Sequence, residues 1–143
     1  MEFARGYIAS GIFRGHRVPQ HIQNIVIRQY CVKNNLQYVL SRAEYSENMN
    51  KYCQLWAALR EGYRNIVAYS VWQMPFNQKL RNSIFEFALD HNIRIHFACE
   101  ELSVNNMYAV DDIHSLMCLQ KAIDQRGDSQ EYLHFLQIWA KNG

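Results

Sequence analysis

Apolar residues along this 143-residue chain fall alternately into short runs and into stripes at helical spacing, the pattern of strands and amphipathic helices taking turns. Residues 3–10 form a short mixed run ending at Gly11 and predict a first strand. After the loop Gly11-Ile-Phe-Arg-Gly-His-Arg17, Pro19 suits the first turn of a helix. Ile22, Ile25, Val26 and Tyr30 then recur at three- and four-residue steps, which predicts a helix over 19–34, closed by Asn34-Asn35. A second strand is expected over 37–41. A second helix over 48–61 carries Met49, Tyr52, Cys53, Trp56 and Leu59 as its apolar stripe, with Gly62 as its stop.

The clearest strand is 65–70, a continuous apolar run of the kind a sheet covered on both faces demands. Past Pro75, Leu80, Ile84, Phe87 and Ala88 predict a third helix reaching Asn92. A fourth strand follows over 93–99. Asp111 or Asp112 then suits the cap of a helix holding Ile113, Leu116, Met117 and Ile123 and ended by Gly127. Asp128-Ser-Gln-Glu131 has capping-box spacing ahead of Tyr132, Phe135, Leu136 and Trp139. Strand–helix alternation implies parallel pairing through right-handed crossovers. The fold expected is one α/β domain, a three-layer sandwich on a mainly parallel sheet of four or more strands. A C-terminal helical segment over about 111–141 completes it.

Composition fits that architecture and narrows the partners. An apolar share of 49% excludes disorder, and the length suffices for one full core. Fifteen Lys and Arg against thirteen Asp and Glu give no strong basic field, which argues against nucleic acid. The N-terminal residues lack a signal-peptide layout, and no apolar run reaches the roughly 20 residues that cross a bilayer. Cys31, Cys53, Cys99 and Cys118 are widely spaced, so they read as reduced, mostly packed thiols of a cytoplasmic protein. Neither these nor the six His have zinc-site spacing; no metal or cofactor is expected.

In parallel sheets ligands bind beyond the carboxyl ends of the strands, which gathers four polar segments. In the first, Arg14, His16 and Arg17 precede a helix N-terminus, where unpaired N–H groups and guanidinium forks suit phosphate or carboxylate. Ser10 stands before that loop, and Gln20, Asn24 and Arg28 follow as an i, i+4, i+8 stripe. An ordinary basic loop and a solvated helix face would look the same. Ser41 and Glu44 close the second strand; Glu44 suits a general base or simply an arginine's partner. Ser70 and Gln73 close the third as hydrogen-bonding candidates, beside a Trp72 that suits core packing. His96, with Glu100 just beyond the fourth strand, suits a proton shuttle or a structural histidine.

Gly6-Tyr-Ile-Ala-Ser10, Arg17-Val-Pro-Gln-His-Ile-Gln-Asn24, Ile27-Arg28, Glu44-Tyr45, Tyr69-Ser70 with Gln73-Met-Pro75, and Ile95-His-Phe-Ala98 with Glu100 resemble the sporadic carbohydrate cluster protein family. Those are small bacterial proteins encoded among genes for surface polysaccharides. The resemblance implies a carbohydrate-biosynthesis role, on a sugar phosphate or nucleotide sugar and without nucleic acid or membrane. An isomerase, epimerase or lyase would use Glu44, His96 and Glu100 for acid/base chemistry. The alternative is a non-catalytic partner of the same pathway, dimeric through its C-terminal helices. The layout is also similar to serine recombinase catalytic domains, hence a flavodoxin- or resolvase-like sandwich. This chain has neither Tyr-x-Arg-x-Ser after Tyr7 nor Asp-Arg-Leu-x-Arg after Tyr69-Ser70, which argues against strand exchange.

Overall fold

A computed structural model of the chain describes residues 1–12, 15–45 and 51–126. They divide into two units with the boundary between Val110 and Asp111. The first holds β1 (Glu2–Ala9), α1 (Gln20–Lys33), β2 (Leu36–Glu44), α2 (Cys53–Arg60), β3 (Asn65–Ala68), α3 (Gln78–Asp90), β4 (Arg94–Phe97) and β5 (Leu102–Val104). The final helix, α4 (Met107–Arg126), continues into the second unit, where Ile113, Met117 and Gln120 are buried along one stripe. The sheet runs β2-β1-β3-β4-β5. Its first four strands are parallel, and β5 returns antiparallel on β4. This is the mainly parallel α/β sandwich that the alternation predicts.

β1 sits centrally and divides its side chains between the two faces. Ala4 and Ile8 pack with Val67 and Ala98 under Ile27, Tyr30 and Cys31 of α1. Tyr7, on the opposite pleat, is fully buried on the face where α2 packs. Gly6 falls on the α1 face. A Cβ there would lie 2.1 Å from Ser41 Oγ and 3.0 Å from Ser41 Cβ, so only glycine lets β2 approach. The register shift between Arg5 and Gly6 lies at this contact.

Several expectations on helix faces and ends are corrected. The periodic Ile22 and Ile25 are exposed, while Gln23, Ile27, Tyr30 and Cys31 form the buried face of α1. The cause is Gln23, whose amide ties down the end of β1 and turns the helix toward itself. In α2 the buried residues are Leu55, Ala58 and Leu59; Cys53 is exposed, and Met49 lies outside the described residues. In α3 an arginine, Arg81, is buried alongside Ile84 and Phe85, donating to the carbonyls of Pro75 and Phe76 at 2.9 and 3.0 Å. α4 begins a turn earlier than expected, because Asn106 Oδ1 caps it by accepting from Ala109 N at 3.0 Å. Of the four cysteines only Cys31 is packed, and burial pushes its thiol up to about 11; the other three are exposed and unbridged. Phe135 and Trp139, expected at a dimer contact, lie outside the described residues.

Candidate functional site

The carboxyl ends of the strands are polar, and nearly all of that polarity is consumed within the protein. Gln23, fully buried, donates to Ala9 O at 2.7 Å and Val18 O at 2.8 Å and accepts from Ala9 N at 3.1 Å. Its carbonyl also accepts from Gln73 Nε2 at 2.8 Å. Gln73 in turn accepts from Ser70 N, closing a capping box on the 3₁₀ turn Val71–Gln73. Ser70 Oγ donates to Glu100 Oε2 at 2.8 Å, and Glu100 Oε1 accepts from Val71 N at 2.8 Å. One continuous chain of hydrogen bonds therefore joins β1, α1, the turn after β3 and the end of β4. A buried polar group left unpaired costs about 1–3 kcal/mol, which is why such a chain closes on itself.

Glu44 is the second closed set. Its carboxylate is fully buried, accepting from Gln54 N at 2.9 and 3.1 Å, Leu55 N at 3.2 Å and Tyr7 OH at 3.1 Å. It therefore caps the N-terminus of α2, where N–H groups lack helical partners. Burial, then the carboxylate, pushes the Tyr7 phenol far up. His96 is the third. Its Nδ1 lies 2.8 Å from Tyr30 OH and its Nε2 2.9 Å from Asn65 Oδ1. Burial, reinforced by Arg94, pushes its pKa down to about 4, so it is neutral at pH 7. Glu44, His96 and Glu100 thus occupy three separate networks, with no hydrogen bond among them.

Between α1 and β2 the picture differs. Ser41 Oγ donates to Asn24 Oδ1 at 2.6 Å, with Tyr38 OH 2.8 Å from Ser41 Oγ and 3.3 Å from Asn24 Oδ1. Arg28 lies over the Tyr38 ring, 5.2 Å from its centroid. These groups are half-buried or exposed, and the Asn24 amide N–H₂ has no partner among the described residues. Gln20 lies one turn before Asn24. His16 and Arg17 are exposed just ahead of the helix, and Arg14 lies outside the described residues. Ser10 is half-buried, its N–H donating to Glu44 O at 2.8 Å. The structure thus brings Asn24, Arg28 and Ser41 together and separates them from Ser70, Gln73 and Glu100.

Tyr38 and Gln23 were not expected at a site. Tyr38 carries no motif; only the close approach at Gly6 puts its hydroxyl beside Ser41. A second signal is legible in the sequence once charge is mapped by position. Residues 3–43 contain Arg5, Arg14, Arg17, Arg28, Lys33 and Arg42 and no Asp or Glu, while the other 102 residues hold nine cations and all thirteen carboxylates. The near-neutral total averages this segregation away. Three of the six are paired, Arg5 and Arg42 with Glu61 and Lys33 with Glu101. Arg17 and Arg28 have no carboxylate partner among the described residues.

No family model matches the chain, and no curated protein matches it. Solved structures are similar to the chain, two of them as follows. One is a resolvase family site-specific recombinase from Streptococcus pneumoniae, with TM-score 0.57 and 6% identity over 97% of each chain. The other is the N-terminal catalytic domain of TP901-1 integrase, with TM-score 0.46 and 6% identity over 87% of this chain and 99% of that one. These findings correct the functional expectation. The resemblance to the sporadic carbohydrate cluster family has no support in them, and the fold is shared with a recombinase rather than a carbohydrate enzyme. With that reading go its sugar partners and its exclusion of nucleic acid, which rested on total charge, on the family resemblance and on the absence of recombinase motifs. Among the described residues no helix is long and apolar enough to cross a membrane. What the comparison with the recombinase establishes is the architecture, a resolvase-like α/β domain.

Proposed function

We propose that this domain binds the phosphate backbone of duplex DNA along the polar edge between α1 and β2, and that it binds without cutting. The observation that carries this reading is the acid-free stretch 3–43, whose cations Arg17 and Arg28, without a carboxylate partner among the described residues, lie just ahead of α1 and along its side. Phosphate contacts of this kind come from Arg together with Ser, Asn and Tyr side chains, the set that Arg28, Asn24, Ser41 and Tyr38 supply. A recombinase acts on DNA, so the shared fold is consistent with a nucleic-acid partner. Catalysis is left out because Glu44, Ser70, Glu100 and His96 are held by structural hydrogen bonds. A phosphoryl transition state also needs clustered donors aimed at its developing charge. Arg5 on β1, Arg42 on β2 and Arg81 on α3, the helix that follows β3, are engaged with Glu61 or with carbonyls.

Fluorescence anisotropy of a short labelled duplex at low salt tests the proposal. Wild-type protein is expected to bind, and Arg17→Gln with Arg28→Gln to weaken binding by about tenfold or more, with an unchanged circular dichroism spectrum. Equal binding by the folded double variant would overturn the assigned surface. No binding by the wild type would overturn the function.

A further inference from the structure

The opposite end of the sheet, at the amino ends of β3 and β4, contains a trough that no part of the proposed DNA surface touches. It has two lobes. One, of about 340 Å³, is lined by Arg64, Arg94, Asn92, Asn105 and Glu2 with Leu89 and Ile93 beneath. The other, of about 350 Å³, is walled by Tyr63, His91, Arg60 and Leu59. Arg64, Asn92 and Ile93 line both, so the lobes adjoin along these residues. Each is near the lower limit of small-molecule sites.

Charge and shape differ between the lobes. The first is cationic: Arg94 reaches Glu2 only at 3.7 Å, and the Arg64 side chain has no hydrogen bond or ion pair among the described residues. Helices α2 and α3 both end here, and their C-termini contribute roughly half a negative charge apiece. Those two half-charges and the Glu2 carboxylate offset two of the three guanidinium groups of Arg60, Arg64 and Arg94. Among the residues lining the two lobes that leaves one positive charge in excess. Glu61, the nearest other carboxylate in sequence, is already held by Arg5 and Arg42.

The second lobe is aromatic and braced from behind. His91 stacks on Phe87 with centroids 4.1 Å apart and donates from Nδ1 to Phe87 O at 2.8 Å. Phe87 meets Trp56 edge-on at 5.7 Å, and Arg60 lies over Trp56 at 5.5 Å. Tyr63 has the Arg5 guanidinium over its ring at 5.0 Å. Both rings lining the lobe are therefore held by a neighbour on one face, which lowers the ordering cost of stacking something flat on the other.

From this juxtaposition we infer that the trough binds a nucleoside monophosphate, its phosphate on Arg64 and Arg94 and its base against His91 and Tyr63. An anion alone would leave the aromatic lobe empty, and a neutral ring alone would leave the excess positive charge uncompensated. Asn92 and Asn105 supply neutral donors and acceptors between the two ends.

Isothermal titration of the whole protein with AMP, GMP, CMP and UMP, and separately with adenosine and inorganic phosphate, tests the inference. At least one monophosphate is expected to bind at a single site, about tenfold or more tighter than phosphate or adenosine alone. Arg64→Gln and Arg94→Gln, both at exposed positions, should each weaken it by about tenfold with an unchanged urea midpoint. Arg17→Gln should leave it unaltered, which separates this site from the DNA surface. Phosphate binding as tightly as every monophosphate, no monophosphate binding below about 1 mM, or indifference to Arg64→Gln would each overturn it.

Discussion

Replacing Glu44 with Gln preserves the size of the side chain and removes its charge, which makes it a sharp test of what this carboxylate does. Three of its four hydrogen bonds converge on Oε2, from Tyr7 OH, Gln54 N and Leu55 N. A glutamine can set its carbonyl there and keep all three as neutral bonds. A hydrogen bond to a charged group contributes roughly 1.5–3 kcal/mol and a neutral one roughly 0.5–1.5, so each loses about 1 kcal/mol. The new amide N–H₂ then faces Gln54 N, which Oε1 accepts from at 3.1 Å, and donor meets donor. The total is a loss of about 2–4 kcal/mol, a large share of a typical domain's 5–15. Urea unfolding at pH 7, followed by circular dichroism and tryptophan fluorescence, measures it. A catalytic carboxylate would behave oppositely, since substitutions at active sites are commonly neutral or stabilising. A loss below about 0.5 kcal/mol would refute the structural assignment.

Two further outcomes follow from the buried groups. His96 stays neutral in the fold while the unfolded side chain protonates below its ordinary 6.5, so its contribution is complete above that pH and is lost as pH falls toward 4. That amounts to about 3 kcal/mol over the window, and His96→Gln should flatten the wild-type stability profile between pH 6.5 and 4; an unchanged slope would contradict it. Gly6→Ala drives a methyl into Ser41 and should cost about 1–3 kcal/mol while disturbing the Ser41–Asn24 bond. Wild-type stability in that variant, measured by the same urea titration, would mean β2 can yield at this contact.

How far the sequence is legible varies with the physical origin of each feature. The strand–helix order is readable because Ile66 to Ala68 is an uninterrupted apolar run and Pro19 marks a helix start. Which face a helix buries is harder. In α1 a polar residue, Gln23, occupies the core because it closes the hydrogen bonds of β1 and its loop, and apolar periodicity gives the opposite answer at Ile22 and Ile25. The same holds for Arg81, buried to hold the carbonyls of Pro75 and Phe76. Polar residues do lie at the ends of the strands, as Glu44, Ser70 and Glu100 show. Whether they face a ligand or one another depends on partners 10 to 50 residues away, such as Gln54 for Glu44 and Gln73 for Gln23. β5 is three residues long and antiparallel, too short to leave a periodic signal. The charge segregation of residues 3–43 was present throughout and vanished only in the chain-wide total.

The central claim is that Arg17 and Arg28 neutralise phosphates of a DNA duplex, and its most direct test is the salt dependence of binding. Each phosphate contact contributes roughly −0.9 to the slope of log K against log salt concentration, so two contacts predict a slope near −2 between about 50 and 200 mM salt. Arg28→Gln alone should move that slope to about −1 and the double variant to near zero. A wild-type slope near zero, or one unmoved by both substitutions, would contradict the account.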